Sequence, residues 1–538
     1  ALSWACERQP ERASRRPGTT REAPRTSAMP GANAMREISL AKVAKHDKDG
    51  DMWLAIDGLV YDVSTFADLH PGSKVVLLRV AGTDCTDEFY SLHRTEVLDK
   101  YARLVIGTVE GQTPAKRESG ELSKVPFAEW ESPFYTDSHR RFRKAVREFV
   151  EREIMPEVDD LEKRDKLPSN ELMKKLGDFG ILACSLGPGK HLELVDKLPG
   201  GVKPSEFDYF HEMIASMEIK RCGSWGVIDG TAGGLVIGLP PVLNFGSPEL
   251  AQRVAPAVLR GEKRICLAIT DPYAGSDVAN TTCTAELTAD GSHYIVNGTK
   301  KWITGGMGAD YFSTAVRTGK EGHGGVSLLL IERGEGVETT KIKTSYTGAG
   351  TAYVTFENVK VPVGNLLGKE NQGFAPIMAN FNHERWSMAV GGNALNRLVV
   401  HDCFVWLYRR KAFGKRLIHQ PQLQEKLAEM IAYTESVQSY IDIVTHRMNN
   451  MSYKDMSKYL AGSISLLKNQ QVEASRVVSD NAIQIFGGRS LTASGLGKNV
   501  ERFQRTFQFG ATLGGASSVL ATQAIRHALK FLPPDAKL

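Results

Sequence analysis

The sequence lacks a long apolar run, paired cysteines and an extended basic segment in its folded part. Each absence argues against one class of protein. In 538 residues there is no uninterrupted stretch of about 18 apolar residues, so we expect no membrane span. The seven cysteines are scattered and none stands in a Cys-x-x-Cys pair, so neither a disulfide framework nor a structural zinc site is predicted. Residues 1–36 carry seven arginines against three glutamates, which supplies +4 of the formal net charge of +5. The remainder is nearly neutral, which argues against binding to nucleic acid.

The two ends of the chain differ in composition from the rest. Residues 1–36 are rich in Pro, Ser and Arg with little to bury, so we predict a disordered arm. Its arginines are compatible with a mitochondrial presequence, although its prolines and glutamates disfavour an amphipathic helix. Residues 531–538 form a predicted tail that closes with Ala-Lys-Leu, a variant of the Ser-Lys-Leu peroxisomal signal. We therefore expect a peroxisomal protein, with the mitochondrion as the alternative.

The first predicted folded unit covers residues 37–111. Apolar and polar residues alternate in "MWLAIDGLVYDVSTF" around the turn dipeptide Asp57-Gly58, which predicts a β-hairpin. Short helical pieces follow, and "ARLVIGTVEG" closes the unit with a strand, so an α+β fold is predicted. Residues 112–128 are polar, contain two prolines and are predicted to be a linker.

The second predicted unit begins at residue 129. It is expected to be helical over 129–264, β over 265–370 and helical again over 371–530. Turns are predicted at Asp290-Gly291 and Asn297-Gly298. The first helical section has one amphipathic stretch whose apolar residues recur at helical spacing and should face the core. They are Phe142, Val146, Phe149, Val150 and Ile154.

Two histidines of the first unit suggest a haem site. His70 precedes Pro71-Gly72 at a predicted helix start, and His93 ends another short helix 23 residues later. Two neutral imidazoles on opposite walls of an apolar cleft would suit an iron porphyrin. Spacing alone also allows two unrelated surface histidines.

The stretch "DMWLAIDGLVYDVSTFADLHPGSKVVLLRVAGTDCTDEFYSLH" resembles a cytochrome b5-type haem domain along its whole length. The resemblance implies a haem b whose iron is held by His70 and His93, and a role as an electron carrier. Ser73 stands where that family usually has a second glycine, and we expect its φ angle to be negative.

Four further motifs, in order, resemble the acyl-CoA dehydrogenase family. They are "LAITDPYAGSDV" (267–278), "KKWITGG" (300–306), "RRKAFGKRLIHQPQLQEKLAEM" (409–430) and "DNAIQIFGGRS" (480–490). The resemblance implies a multidomain α+β protein: the cytochrome b5-like domain, then an N-terminal α-helical domain, a middle β-barrel and a C-terminal four-helix bundle. It also implies FAD as cofactor, acyl-CoA as substrate, and a homodimer or homotetramer whose FAD sites are shared between subunits.

The same resemblance assigns roles to individual residues. Within one subunit it implies FAD contacts from Thr270, Ser276, Trp302, Ile303 and Thr304. Toward the FAD of a neighbouring subunit it implies contacts from Arg410, Phe413, Gln484, Gly487 and Gly488, and it gives Gln420 as a further FAD-binding residue. Ser276 and Arg385 are implied to help hold the acyl-CoA.

The reaction of the family that this sequence resembles needs a carboxylate base, and a comparison of motifs indicates that the usual position of this base lacks a carboxylate here. Many members carry the glutamate in a "YEGT" segment, whereas "RTFQFGATLGG" here puts Phe509 at that position. A branch that includes isovaleryl-CoA dehydrogenase carries its glutamate before an arginine on an earlier helix, which matches Glu384-Arg385 in "FNHERWSMAVGG". Glu384 is therefore the predicted base, and His383 is a weaker candidate. The alternative is a catalytically dead domain.

Three functions follow from these assignments. The first is α,β-dehydrogenation of an acyl-CoA to a trans-2-enoyl-CoA, with the tethered haem as electron acceptor. The second is a flavin oxidase, acting on acyl-CoA or a nitroalkane-like substrate, that passes electrons to dioxygen; a separate acceptor protein is a further alternative. The third is an inert flavin scaffold for a haem electron carrier.

Overall fold

The structure is a computed structural model that describes residues 35–114 and 132–533. These residues belong to two compact units, which are described separately below. Most of the predicted arm, most of the predicted linker and the Ala-Lys-Leu tail lie outside the described residues, so those three expectations stay predictions.

The first unit is a small α+β fold, as expected. Its sheet has the strand order β1-β5-β4-β3-β2. The strands are β1 (Glu37–Ile38), β2 (Asp47–Lys48), β3 (Asp51–Ile56), β4 (Leu59–Asp62) and β5 (Val105–Val109). The helices are α1 (Leu40–Val43), α2 (Lys74–Leu78), α3 (Thr86–Tyr90) and α4 (Glu96–Lys100). The predicted hairpin joins β3 to β4, and its turn residues Asp57 and Gly58 have φ angles of 54° and 75°. Such positive values match the twist of a two-residue hairpin.

Ser73 differs from the expectation, because its φ angle is 78° rather than negative. The left-handed backbone is offset by local hydrogen bonds. The hydroxyl of Ser73 accepts from the backbone N–H of Val75 and so caps α2. Serine therefore adopts the positive φ angle for which glycine is usual at this position, and the resulting backbone strain is partly offset by the cap.

The second unit begins with helices. They are α5 (Asp137–Phe149), α6 (Met155–Arg164), α7 (Asn170–Asp178), α8 (Ile181–Cys184), α9 (Tyr209–Lys220), α10 (Trp225–Ile228), α11 (Gly234–Gly238), α12 (Pro240–Phe245) and α13 (Pro248–Leu259). Single π-helical turns join α5 to α6 and α10 to α11. The five apolar residues predicted to face the core are all buried, which confirms the predicted amphipathic helix.

One helical stretch is more apolar than the sequence suggested. By length and composition alone, residues Trp225–Phe245 could cross a membrane, but 67% of the apolar window is buried inside the protein. Core helices with this degree of burial pass the same test, so the finding is weak evidence for a span. Asp229 interrupts the run, which is why the sequence showed no uninterrupted apolar stretch.

Helices α5 and α9 begin at matching capping boxes that meet in the core. The backbone N–H groups of Thr136 and Asp208 donate to Nδ1 of His139 and His211, respectively. The two imidazoles stack with their centroids 4.0 Å apart, and Nε2–H of His139 donates to the Asp208 carboxylate. This network fixes the start of α9, which forms one wall of the site described below.

The middle section is a curled sheet of seven strands. They are β6 (Ile265–Ala268), β7 (Thr284–Leu287), β8 (His293–Ile303), β9 (Tyr311–Arg317), β10 (Val326–Glu332), β11 (Val337–Lys341) and β12 (Ala352–Pro362). Their order is β10-β9-β7-β8-β12-β11, with β6 pairing to β9.

Of the two turns predicted in this section, one is confirmed and one is wrong. Asp290-Gly291 turns the chain between β7 and β8, as expected. Asn297-Gly298 instead lies inside β8, where a Cβ on Gly298 would come within 2.7 Å of Cys283 Cα. The glycine therefore serves the close approach of two strands rather than a turn.

The C-terminal section is a helical bundle built around α17. Its helices are α14 (Phe374–Arg409), α15 (Pro421–Asn449), α16 (Tyr453–Tyr459), α17 (Ala461–Phe486), α18 (Lys498–Thr512) and α19 (Ser517–Leu529). Two short strands, β13 (Lys411–Ala412) and β14 (Lys415–Arg416), form a hairpin after α14. Helices α14, α15, α18 and α19 all pack against α17. Because α14 also contacts α9 and β10, it joins the bundle to the other two sections.

Candidate functional site

In the first unit, the two predicted iron ligands face each other. The ring centroids of His70 and His93 are 5.9 Å apart. Nδ1 of His70 lies 3.2 Å from the Ser73 carbonyl oxygen, and Nδ1 of His93 lies 3.2 Å from that of Phe89. A carbonyl can only accept, so each Nδ1 carries the proton and each Nε2 keeps its lone pair for a metal. This is the arrangement that orients histidine ligands in metalloproteins.

The surroundings of the pair also fit a haem. Large apolar side chains beside the histidines are exposed: Leu69 by 71%, Val75 by 56% and Leu92 by 41%. Burial lowers the pKa of His93, which favours the neutral imidazole that binds iron. The residues present therefore suit a porphyrin that covers apolar surface and takes both axial ligands from the protein.

The second unit contains a cavity of about 970 Å³, lined by all three of its sections. This volume is at the upper end of the range for cofactor and small-molecule sites. The cavity brings together seven of the residues predicted to hold FAD, to bind acyl-CoA or to act as base. They are Thr270, Ser276, Trp302, Ile303, Thr304, Glu384 and Arg385.

A buried ion pair fixes the loop that carries Thr270. Nζ of Lys300 donates to the Asp271 carboxylate at 2.5 Å and to the Ile269 carbonyl at 2.9 Å, and both charged side chains are fully buried. The backbone N–H of Lys301 also donates to the Thr270 carbonyl at 2.8 Å. These contacts tie the loop to the end of β8. The sequence analysis missed this pair, although a lysine within an alternating strand was a signal.

Trp302, at the end of β8, has the conformation expected of a residue in a binding site. Its φ angle is 65°, which is unusual for a bulky side chain, and 47% of it is exposed. Strained backbone of this kind concentrates at functional sites. An exposed aromatic face beside Thr270 and Thr304 fits a flat isoalloxazine ring, so the residues present suit FAD.

Glu384 has the environment of a base. It lies on α14 and lines the cavity, and its buried Oε2 accepts no hydrogen bond from any described residue. Burial raises the pKa of Glu384 to about 7, while the charges of Arg385 and Lys468 oppose the rise and that of Asp229 adds to it. A carboxylate with a pKa near neutral pH and one oxygen without a hydrogen bond is suited to proton abstraction.

Two cations beside Glu384 are anchored to one turn of backbone. Nζ of Lys468 donates to the carbonyls of Leu513 and Gly515 at 2.5 and 2.7 Å. Nε of Arg385 donates to the carbonyl of Gly514 at 2.8 Å. Three successive carbonyls are therefore held by the same two groups that counter the charge of Glu384. Burial lowers the pKa of Lys468 to about 8.

Lys468 was not among the predicted site residues. It lies on the buried stripe of α17, where Ile464, Gln471 and Ser475 recur at helical spacing and are each at most 2% exposed. A lysine on such a stripe was the available signal.

The structure corrects the expectation for Phe509. Phe509 lines the cavity, but it lies on α18 and stacks on Tyr346 with centroids 4.3 Å apart. Gly514, in the turn after α18, is the residue that faces the base, since a Cβ there would lie 3.6 Å from Oε1 of Glu384. The geometry therefore favours Gly514, rather than Phe509, as the position at which family members with a "YEGT" segment carry their glutamate.

His383, the weaker candidate for the base, is engaged elsewhere. Its Nε2 lies 2.8 Å from Oε1 of Glu212, and the side chain lines a separate cavity of about 290 Å³. His383 is therefore less suited than Glu384 to act on a substrate in the large cavity.

Within the described part of the chain, the remaining predicted FAD residues do not line the large cavity. They are Arg410, Phe413, Gln420, Gln484, Gly487 and Gly488. One of them, Arg410, lies near Trp406, with its guanidinium 5.9 Å from the ring centroid. Arg489, which was not predicted, has its guanidinium 4.9 Å from the same centroid. Phe413, in the β13–β14 turn, has a φ angle of 53° and is 93% exposed.

Comparison with known proteins identifies the family. Four family models match the chain: the cytochrome b5-like haem/steroid binding domain over residues 39–110, and the acyl-CoA dehydrogenase N-terminal, middle and C-terminal domains over 136–262, 266–359 and 371–529. The acyl-CoA dehydrogenase apdG of Emericella nidulans is 37% identical over 78% of this chain and 98% of its own length. The acyl-CoA dehydrogenase AFT10-1 of Alternaria alternata is 37% identical over 76% of this chain and 97% of its own length.

A solved structure agrees with these relatives. A putative acyl-CoA dehydrogenase from Mycobacterium smegmatis matches with a TM-score of 0.66 and 31% identity, over 75% of this chain and 100% of that chain. The chain belongs to the acyl-CoA dehydrogenase family and carries a cytochrome b5-like domain ahead of the flavin unit. The predictions of a flavin oxidoreductase, of FAD and of haem as cofactors are thereby confirmed.

The facing histidines generate the first prediction. His70→Ala and His93→Ala should each lose most of the haem absorbance of the purified protein, because each removes one axial ligand. His46→Ala is the matched control, since His46 stacks on Trp53 and bonds Asp51 within the same unit. Full haem content and an unchanged spectrum in either ligand variant would contradict the assignment.

The cations beside Glu384 generate the second prediction. The rate of flavin reduction by substrate should rise with pH through about 7, since the base works only when ionised. Lys468→Met removes a charge that lowers the pKa of Glu384, so the midpoint of the kcat/KM profile should move up by about one pH unit.

Two control variants accompany this profile. Lys468→Arg keeps the charge and should keep the midpoint near the wild-type value. Lys458→Met removes an exposed lysine of α16 and should leave the midpoint unchanged. An unshifted midpoint in Lys468→Met would show that Lys468 does not act on the base.

Proposed function

We propose that the protein catalyses the α,β-dehydrogenation of an acyl-CoA to a trans-2-enoyl-CoA, with Glu384 as the base. The observation that carries this proposal is the buried carboxylate of Glu384, whose Oε2 accepts no hydrogen bond from any described residue, in the cavity lined by five of the expected FAD residues. FAD, when bound, supplies the acceptor for the hydride that leaves the β carbon.

The chain's own residues prepare the proton transfer. The Glu384 carboxylate takes the proton from the α carbon, and its raised pKa makes it a stronger base than an exposed glutamate. Arg385 and Lys468 supply positive charge beside the ionised carboxylate. The aromatic pair of Phe509 and Tyr346 covers part of the cavity wall and limits the access of water.

We also propose that the haem unit is the electron acceptor of the flavin unit. The support is that one chain carries both cofactor sites and that His70 and His93, whose rings face each other, would together hold the haem iron. Such a haem has no open position for a substrate, so its function is electron transfer. Covalent linkage raises the effective concentration of the acceptor without any dedicated docking surface.

The proposed assembly is a homo-oligomer in which the β13–β14 turn, which carries Phe413, meets a neighbouring subunit. The support is the almost fully exposed ring of Phe413, which the turn holds at a positive φ angle. An exposed aromatic in a strained conformation is costly for a lone subunit and is explained if a partner covers it.

The assignment of the base generates the third prediction. Glu384→Gln should lower the rate of flavin reduction by acyl-CoA by a factor of about 10² to 10⁴, because the amide cannot accept the α proton. The FAD content should stay that of the wild type. Glu473→Gln, an exposed glutamate of α17 paired with Arg476, is the matched control and should reduce flavin normally. Wild-type rates in Glu384→Gln would refute the assignment.

A further inference from the structure

One wall of the large cavity carries polar side chains in a regular row. Glu212, Ser216 and Lys220 of α9 all line the cavity, and their spacing of four residues places them on one face of the helix. At one end of the row, Nζ of Lys220 lies 3.6 Å from Asp229, whose charge acts on Glu384. Glu212 lies at the other end, eight residues earlier, which is about 12 Å along a helix axis.

The carboxylate of Glu212 is buried without hydrogen bonds. The residue is 2% exposed, and neither oxygen accepts a hydrogen bond from any residue that the structure describes. Oε1 lies 2.8 Å from Nε2 of His383, with which it forms an ion pair when the imidazole is protonated, whereas Oε2 has no such partner among the described residues. A buried acceptor in this state is costly, and a donor supplied by a ligand would remove the cost.

The wall around Glu212 is polar as well. Ser185 and Ser216 line the same cavity beside it. Behind the contact of Glu212 with His383, the smaller cavity is lined by Lys190, His191, Asn382 and Tyr453, among others. A plain hydrocarbon chain that reached this wall would leave polar groups unpaired, whereas a chain bearing a hydroxyl could pair with them.

We propose that Glu212 makes the enzyme select acyl-CoA substrates whose acyl chain carries a hydrogen-bond donor, such as a hydroxyl group, on its part distal to the thioester. This inference rests on the proposed dehydrogenation, since it concerns the acyl chain in the same cavity. Glu212 is a specificity residue and takes no part in proton abstraction. Sites built to pair with a substrate hydroxyl reject the analogue that lacks it far more strongly than apolar pockets reject an added hydroxyl.

The test uses matched pairs of acyl-CoA esters of several chain lengths, one of each pair with a terminal hydroxyl and one without. Anaerobic flavin reduction gives kcat/KM for both. Perturbation of the flavin spectrum by non-oxidisable 3-thia analogues of both gives their Kd values. In the wild type, the hydroxylated ester of at least one length should be preferred by about tenfold or more in both measurements.

Three variants complete the test. Glu212→Leu should abolish or reverse the preference. Glu212→Gln has the same shape, keeps one carbonyl acceptor and should retain part of it, which keeps the test decisive if the leucine variant does not fold. Glu249→Gln, an exposed glutamate of α13 outside the cavity lining, should behave as wild type.

The outcomes separate this inference from the proposed function. If the wild type is reduced by both esters of every pair equally, or if the Glu212 variants keep the full preference, the inference is wrong and the dehydrogenase proposal stands. If no ester of either kind reduces the wild-type flavin, the dehydrogenase proposal itself fails. In that case the Kd values still decide whether Glu212 selects hydroxylated chains.

Discussion

The flavin unit is organised by one electrostatic constraint, the burial of the Glu384 carboxylate. A carboxylate removed from water is unstable as an ion unless opposite charge lies near it. Arg385 and Lys468 supply that charge, but they are buried too and need hydrogen-bond acceptors of their own. The carbonyls of Leu513, Gly514 and Gly515 provide them, so the shape of the turn after α18 depends on the two cations beside Glu384.

This arrangement also explains why the turn contains two glycines. Gly514 and Gly515 have φ angles of 64° and 112°, a range that side chains disfavour. A side chain at Gly514 would press on Met388 and approach Glu384. The turn therefore presents its carbonyls to two cations while leaving room for the base, and the site consists of contributions from α14, α17 and the chain after α18.

The sequence was informative where chemistry requires a particular residue at a particular spacing. The facing of His70 and His93 and the meeting of Thr270, Trp302 and Glu384 in one cavity were predictable, because motifs carry them. Lys468 was not predicted, since the buried stripe of α17 that carries it also contains polar residues such as Gln471 and Ser475, and its signal is therefore weak. Gly298 was misjudged because a strand that approaches another closely and a tight turn demand the same residue.

The position of Phe509 shows a related limit. Counting along a motif without spatial information put the vacant carboxylate position on α18, whereas the turn that follows approaches the base. Ser73 shows a limit of another kind, since a hydroxyl that caps α2 offsets a backbone conformation that would otherwise favour glycine. The first case depends on a contact between distant segments, and the second depends on a local hydrogen bond. Residue type alone reveals neither of them.

We propose that one chain joins two chemistries: a site that removes a proton and a hydride from an acyl-CoA, and a haem that only carries electrons. The most direct test is an anaerobic absorbance titration of the intact protein with acyl-CoA esters. We predict that bleaching of the flavin band is followed by the sharp bands of reduced haem, and that His70→Ala shows the bleaching alone. Flavin that bleaches while wild-type haem stays oxidised would contradict the electron transfer, and flavin that never bleaches would contradict the dehydrogenase.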